Sequence, residues 1–249
     1  GAKIAKGEYV ICVDSDDYIE QGYFTCVARS LDEFNPDIVI LSHYSLEDNK
    51  KILHKDFVVQ GLLQDKEYEE VRDKFIYDPT DKNISNPGII SYSLCCKVVR
   101  REIYVKAQEL IDDKIVIGED MLCFLYCLQF AKSMICLNDS FYVYRILNNS
   151  MMHSYNVKKF EHFENTVKAL VESDIVDDHR ICAYSFHALC NEYAGIAESV
   201  NSISEFRDKI KETQKFKLLY DMASRVDKSN CNLASRFKIW LVNNKKYDL

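Results

Sequence analysis

The apolar run Tyr9-Val10-Ile11-Cys12-Val13 has no polar alternation. That pattern predicts a strand covered on both faces, as central strands of parallel sheets are. The strand delivers three carboxylates within four positions, Asp14, Asp16 and Asp17. Tyr23, Phe24, Val27, Leu31 and Phe34 then recur at helical spacing. Asn35-Pro36-Asp37 should stop that helix, because proline disfavours helix at the residue before it. Ile38 to Leu41 predicts a second buried strand, residues 43–60 short β pieces in a polar stretch, and residues 65–76 a charged surface helix. Asn83 to Gly88, containing Asn86-Pro87-Gly88, predicts a loop long enough for a lid or an acceptor-site element. Leu94 to Val99, Met134 to Leu137 and Phe141 to Arg145 predict further strands, and Gly118-Glu119-Asp120 heads the apolar helix Met121 to Phe130. From about Val157 the pattern is helical almost to the end. The chain therefore predicts an α/β fold followed by a helical C-terminal region.

Composition narrows this little. Hydrophobic residues at 47% and charged residues at 29% over 249 residues suit a globular chain of one or two domains with a real core. Ten cysteines sit mostly inside apolar runs, as at Cys12, Cys123, Cys127 and Cys136, and no Cys-x-x-Cys pair suggests zinc. Buried free thiols in a reducing compartment account for them best. No apolar stretch approaches the ~20 residues that span a bilayer, and no signal peptide is visible, which predicts a cytoplasmic protein. Residues 203–249 carry 11 Lys and Arg against 6 Asp and Glu, the rest of the chain 21 against 33. An acidic body with a basic tail argues against nucleic acid as a partner. Arg236-Phe237-Lys238-Ile239-Trp240-Leu241 with Lys245-Lys246 mixes cationic and bulky apolar groups as interfacial helices do, which predicts peripheral contact with the inner face of the membrane. The same residues also suit a helix that packs Phe237, Trp240 and Leu241 onto the body.

Ligands of open α/β sheets sit beyond the carboxyl ends of the strands, where the Asp14–Asp17 cluster lies. Clustered acids repel unless bound donors or a cation compensate them. Mg²⁺ or Mn²⁺ holding substrate phosphates would do so. An Asx turn followed by a helix start favours the same residue types. By themselves Glu119 and Asp120 read first as first-turn acids that complement the helix dipole, a setting that depresses a carboxylate pKa and would make Asp120 a weaker base.

The stretch Ala5-Lys6-Gly7-Glu8-Tyr9-Val10 with Val13-Asp14-Ser15-Asp16-Asp17 resembles the centre of a family 2 glycosyltransferase. Three later stretches match that family in order: Cys96-Lys97-Val98-Val99-Arg100-Arg101, Gly118-Glu119-Asp120-Met121-Leu122, and Tyr142-Val143-Tyr144-Arg145 with Asn149-Ser150-Met151. In the first of these, Cys96 replaces the family's usual Asn. The resemblance implies an A-type glycosyltransferase fold, a Rossmann-like mixed sheet, over residues 1–154, with residues 155–249 as a helical C-terminal region. In the family a segment that supplies the first strands and reads the nucleotide base precedes the position of Gly1, so the resemblance implies an N-terminally truncated core.

The activity implied is metal-dependent transfer of a sugar, with inversion, from a nucleotide-sugar donor to a hydroxyl of a saccharide or lipid-linked acceptor. Asp16 and Asp14 would hold Mg²⁺ or Mn²⁺, and Asp14, Asp17 and Arg145 would contact the donor. Asp120 would be the catalytic base, with Glu119 orienting the acceptor. His153 could add an imidazole to the metal site, while Lys97, Arg100 and Arg101 receive no chemistry. Two other readings stand beside this one. A truncated relic or interaction module would keep the fold without activity. A phosphatase of the haloacid-dehalogenase type also places Asp-x-Asp after a buried strand, but it wants Thr or Val where this chain has Tyr18.

Overall fold

In the computed structural model, which describes residues 1–83, 88–146, 156–229 and 231–244, β1 (Tyr9–Ile11) runs into the acidic turn and β2 (Tyr18–Ile19) leaves it. Helix α1 (Tyr23–Phe34) follows, ended by Asn35 in the left-handed conformation at φ 44°, its N–H donating to the Leu31 carbonyl. Pro36 cannot continue the helix, so the stop predicted from Asn35-Pro36 is the one found. Gly22 starts α1 at φ 101°, and a Cβ there would lie 2.9 Å from the Phe141 ring, so only glycine fits this entry.

The chain then adds β3 (Ile38–Glu47), β4 (Lys50–His54), β5 (Gly61–Gln64), α2 (Asp65–Asp73), β6 (Lys97–Arg100), α3 (Arg101–Gln108), α4 (Glu119–Phe130) and β7 (Ser133–Arg145). The sheet order is β1-β6-β3-β7-β2, with β4 on β3 and β5 on β7. Of the described pairs only β3 with β7 is parallel. Ile38 to Leu41 are fully buried in β3, as the unbroken apolar run predicts.

Three elements differ from expectation. β1 is antiparallel to β6, Tyr9 opposite Arg100 and Ile11 opposite Val98, and is half-buried rather than covered on both faces. It has one sheet neighbour among the described residues, so its other edge leaves the strand partly in solvent. The two strands expected at 134–145 are one: β7 runs through Asn138 and Asp139, and the register against β3 shifts between Leu41 and His43 to absorb the extra residues. β6 begins at Lys97 rather than Leu94, because residues 93–96 form a turn in which the Lys97 N–H donates to the Leu94 carbonyl.

The chain divides into two compact units. The first holds Gly1–Phe75, Ile89–Asp112 and Glu119–Asn148. Its core includes Tyr23, Cys26 and Val27 of α1 packed with Val39, Leu41, Val98 and Ile135 of the sheet. α4 buries residues on every side, Met121 to Leu125 together with Cys127 and Leu128, and Phe124 meets Phe75 edge-on at 5.3 Å between centroids. Full burial of one such side chain is worth about 1.5–3 kcal/mol.

The second unit holds Ile76–Gly88, Asp113–Gly118 and the helical remainder: α5 (Lys158–Ser173), α6 (Asp178–Ser199), α7 (Ile203–Thr213), α8 (Lys217–Ser224) and α9 (Leu233–Asn244). Asp177 caps α6 by accepting from the Arg180 N–H, and Ser202 caps α7 by accepting from the Glu205 N–H. Phe160 stacks on Phe216 at 6.2 Å inside this unit. Gly118 sits at φ 87°, where a Cβ would lie 2.8 Å from Thr166 Cγ2 and 3.0 Å from Tyr184 Oη. α9 buries Ile239 and Val242 but leaves Leu233, Phe237 and Trp240 84%, 50% and 40% exposed. All ten cysteines are free and eight are buried.

Candidate active site

The acidic residues leave β1 in a turn closed by the Asp17 N–H on the Asp14 carbonyl at 3.1 Å. Because β2 pairs with β7, Tyr18 opposite Val143, the end of β7 lies beside this turn. It delivers two side chains there. Tyr142 accepts from the Asp14 N–H at 3.2 Å and donates to Asp17 Oδ2 at 2.7 Å. The Arg145 N–H donates to Asp17 Oδ1 at 2.9 Å, and Arg145 Nε donates to the Asp16 carbonyl.

A third group comes from the turn before β6, where Cys95 Sγ donates to Asp14 Oδ2 at 3.1 Å. Ligand atoms of Asp14, Asp17 and Cys95 all lie within 4.8 Å of one another. Asp16 enters this arrangement through its backbone carbonyl, and its side chain is exposed. Burial pushes the Cys95 thiol up to about 12.

Asp120 stands in the first turn of α4, where its Oδ2 accepts from the Leu94 N–H at 3.2 Å. The helix start is expected to depress its pKa. Instead burial raises it above the ordinary 3.8, and the Leu94 hydrogen bond only partly opposes that. A carboxylate shifted this way is a stronger base once ionised. Glu119 beside it is exposed. Leu94 and Cys95 are consecutive, so one turn holds Asp120 with a backbone N–H and Asp14 with a thiol. The turn is itself braced: the Cys95 N–H donates to Ser93 Oγ at 3.2 Å, and Lys97 Nζ donates to the Ser93 carbonyl from below. Lys97 is 1% exposed and lies over the Phe124 ring at 4.7 Å.

Next to this turn lies a second polar cluster, His43, Asp56 and Cys96. His43 Nδ1 and Asp56 Oδ2 are 2.6 Å apart. His43 stacks on His54 at 5.1 Å, and His54 Nε2 bonds Ser45 Oγ at 2.8 Å. Burial would raise Asp56, but the hydrogen bond from His43 and the charge of Lys97 outweigh it and hold the carboxyl below its ordinary range.

Of the residues singled out in the sequence, Asp14, Asp17 and Arg145 meet at one place, and Asp120 is tied to them through the 93–95 turn. The Asn86-Pro87 part of the predicted lid, Asn149-Ser150-Met151, His153 and Lys245-Lys246 lie outside the described residues. Sequence reasoning gave no role to Cys95, Tyr142 or Lys97. The available signals were the adjacent thiols Cys95-Cys96 and a lysine embedded in the apolar run Leu94 to Val99, which marks a cation with a buried counter-charge. Two carboxylates and a thiol form a donor set that fits a divalent cation, the carboxylates being the harder part of it.

The fold is shared with solved structures of S. aureus TarS. S. aureus TarS 1-349 superposes with a TM-score of 0.61 over 99% of this chain and 65% of that one, at 15% identity. The same protein in complex with UDP gives 0.60 at 18% identity, again over 99% of this chain and 65% of that one. The architecture is that of an A-type glycosyltransferase.

Residues 1–106 match the model of Glycosyl transferase family 2. Two glycosyltransferases of Streptococcus pneumoniae are similar to this chain. GlyA is 26% identical over 159 residues, covering 64% of this chain and 22% of its own length. GlyG is 25% identical over 161 residues, covering 62% of this chain and 49% of its own length. The chain thus spans about half or less of the length of these relatives.

Proposed function

We propose that this protein is a glycosyltransferase that moves a sugar, with inversion, from a nucleotide-sugar donor to a hydroxyl of a saccharide or lipid-linked acceptor. The catalytic core is residues 1–154, with residues 155–249 as a helical adjunct. The observation that carries this reading is the 93–95 turn, whose consecutive residues hold Asp14 and Asp120. It sets a candidate donor-side carboxylate and a candidate base on one short rigid support.

Asp120 would take the proton of the acceptor hydroxyl as its oxygen attacks the anomeric carbon, and burial fits its carboxylate to that task. Glu119, exposed beside it, would orient the acceptor. Arg145 is anchored to the Asp16 carbonyl through Nε, so its guanidinium is set at the acidic turn, where it would contact donor phosphate. Tyr142 fixes the Asp17 carboxylate from the sheet side. Asp14 with Asp16 or Asp17 would hold Mg²⁺ or Mn²⁺, which when bound neutralises charge on the departing nucleoside diphosphate.

Thermal unfolding with a panel of nucleoside diphosphates, each with and without Mn²⁺, tests the reading. TarS has been solved with UDP and with UDP-GlcNAc, which puts uridine nucleotides first in the panel. Stabilisation that needs both nucleotide and cation, and disappears in Asp14→Asn, is expected. No stabilisation by any member would leave the relic reading. Phosphate release from an aryl phosphate would favour the phosphatase.

Exposed Leu233, Phe237 and Trp240 on α9 support a peripheral membrane contact. No described helix is long and apolar enough to cross a bilayer. Sedimentation with anionic vesicles, weakened in Phe237→Ser, is the expected result.

A further inference from the structure

We propose that Cys95 is a ligand of the cation held by Asp14 and Asp17, and that its sulfur turns the site's preference away from Mg²⁺ toward thiophilic divalent ions. The inference rests on the proposed cation role of the two aspartates. Three observations carry it. Cys95 Sγ lies 3.1 Å from Asp14 Oδ2, and the ligand atoms of Asp14, Asp17 and Cys95 are mutually within 4.8 Å. Donors around one tetrahedral ion, at about 2.0–2.3 Å from it, stand roughly 3–4 Å apart, so the three can close on a shared ion with small side-chain adjustment. The thiol is also fixed, because Cys95 is 5% exposed and its N–H is tied to Ser93 Oγ.

Two hard carboxylates alone would favour Mg²⁺, Mn²⁺ or Ca²⁺, whereas a thiolate adds affinity for softer ions that Mg²⁺ does not share. Binding would form a sulfur–metal bond and release the thiol proton to solvent, with no change of oxidation state. The competing account is that Cys95 only donates a hydrogen bond to Asp14. Serine would donate equally well, so Cys95→Ser separates the two.

Co²⁺ is the probe, added to the intact chain, with binding counted by equilibrium dialysis and ligation read as thiolate-to-cobalt charge-transfer absorption. Cys96 faces a different carboxylate, Asp56, and serves as the control thiol. The expected result is a charge-transfer band that Cys95→Ser abolishes and Cys96→Ser keeps. Co²⁺ binding should fall in Asp14→Asn. In Cys95→Ser the ratio of Cd²⁺ to Mg²⁺ affinity should drop about tenfold or more, with an unchanged circular dichroism spectrum.

A band that survives Cys95→Ser overturns the inference. So does Co²⁺ bound through Asp14 without any band, an outcome that leaves the cation reading of the aspartates standing. Failure of the chain to bind Co²⁺, Mn²⁺ or Mg²⁺ at all overturns both.

Discussion

Asp56 and Asp120 are two carboxylates that both face Lys97, yet their affinities for protons move in opposite directions. The more deeply buried one is the more acidic: the Asp56 side chain is 2% exposed, but His43 at 2.6 Å and Lys97 compensate it. Asp120 is less buried and receives a single backbone N–H, from Leu94. The donors around a carboxylate, rather than burial alone, decide the direction. One acid is thereby held charged, and the other is left the more readily protonated.

The sharpest break in that contrast is functional. Asp120→Asn should lower sugar transfer by about 10³-fold, within the range of general-base contributions, while leaving unfolding temperature unchanged or slightly higher. Asp56→Asn should do the reverse. Removing the charge that faces the buried Lys97 should cost about 3 kcal/mol of stability in denaturant unfolding, with transfer per folded molecule nearly preserved.

Next in size is the pH response of the same two variants. The folded-state pKa of Asp56 lies below the ordinary 3.8. Its contribution is therefore complete above 3.8 and is lost as pH falls through the folded value. That of Asp120 lies above 3.8, so wild type is favoured while Asp120 is protonated and loses stability as pH rises through the folded value. Plotted as wild type minus variant, unfolding free energy should climb with pH for Asp56→Asn and decline for Asp120→Asn. Parallel curves would refute the contrast. The smallest effect is expected from Tyr142→Phe, which deletes the hydroxyl on Asp17 Oδ2. About 1 kcal/mol of stability and several-fold weaker Mn²⁺ binding in a calorimetric titration should follow.

Much of this was legible in the chain. α1 and α4 follow from their apolar spacing and end signals, and Asp14, Asp17 and Asp120 stand out because carboxylates at strand and helix ends are conspicuous. Cys95 and Tyr142 were not legible as partners of those acids, since they reach Asp14 from 81 and 128 residues away. That pairing depends on β7 running beside β2 and on a turn displacing the start of β6. The apolar pattern predicts that these strands exist without fixing which turn abuts which strand end. The direction of the Asp120 shift was hidden for a related reason: a helix start is visible in sequence, but the loss of water around it is produced by distant segments.

The free thiols offer a practical clock. Eight of the ten are buried, and in most of them burial raises the pKa, as at Cys96, Cys136 and Cys182. Alkylating reagents attack the thiolate, so the native chain should react slowly at these positions and rapidly once opened. Mass-resolved labelling in time would then report which segments open together and how often. The cysteines thus form a ready-made set of reporters for local breathing in both units, with no engineered probe.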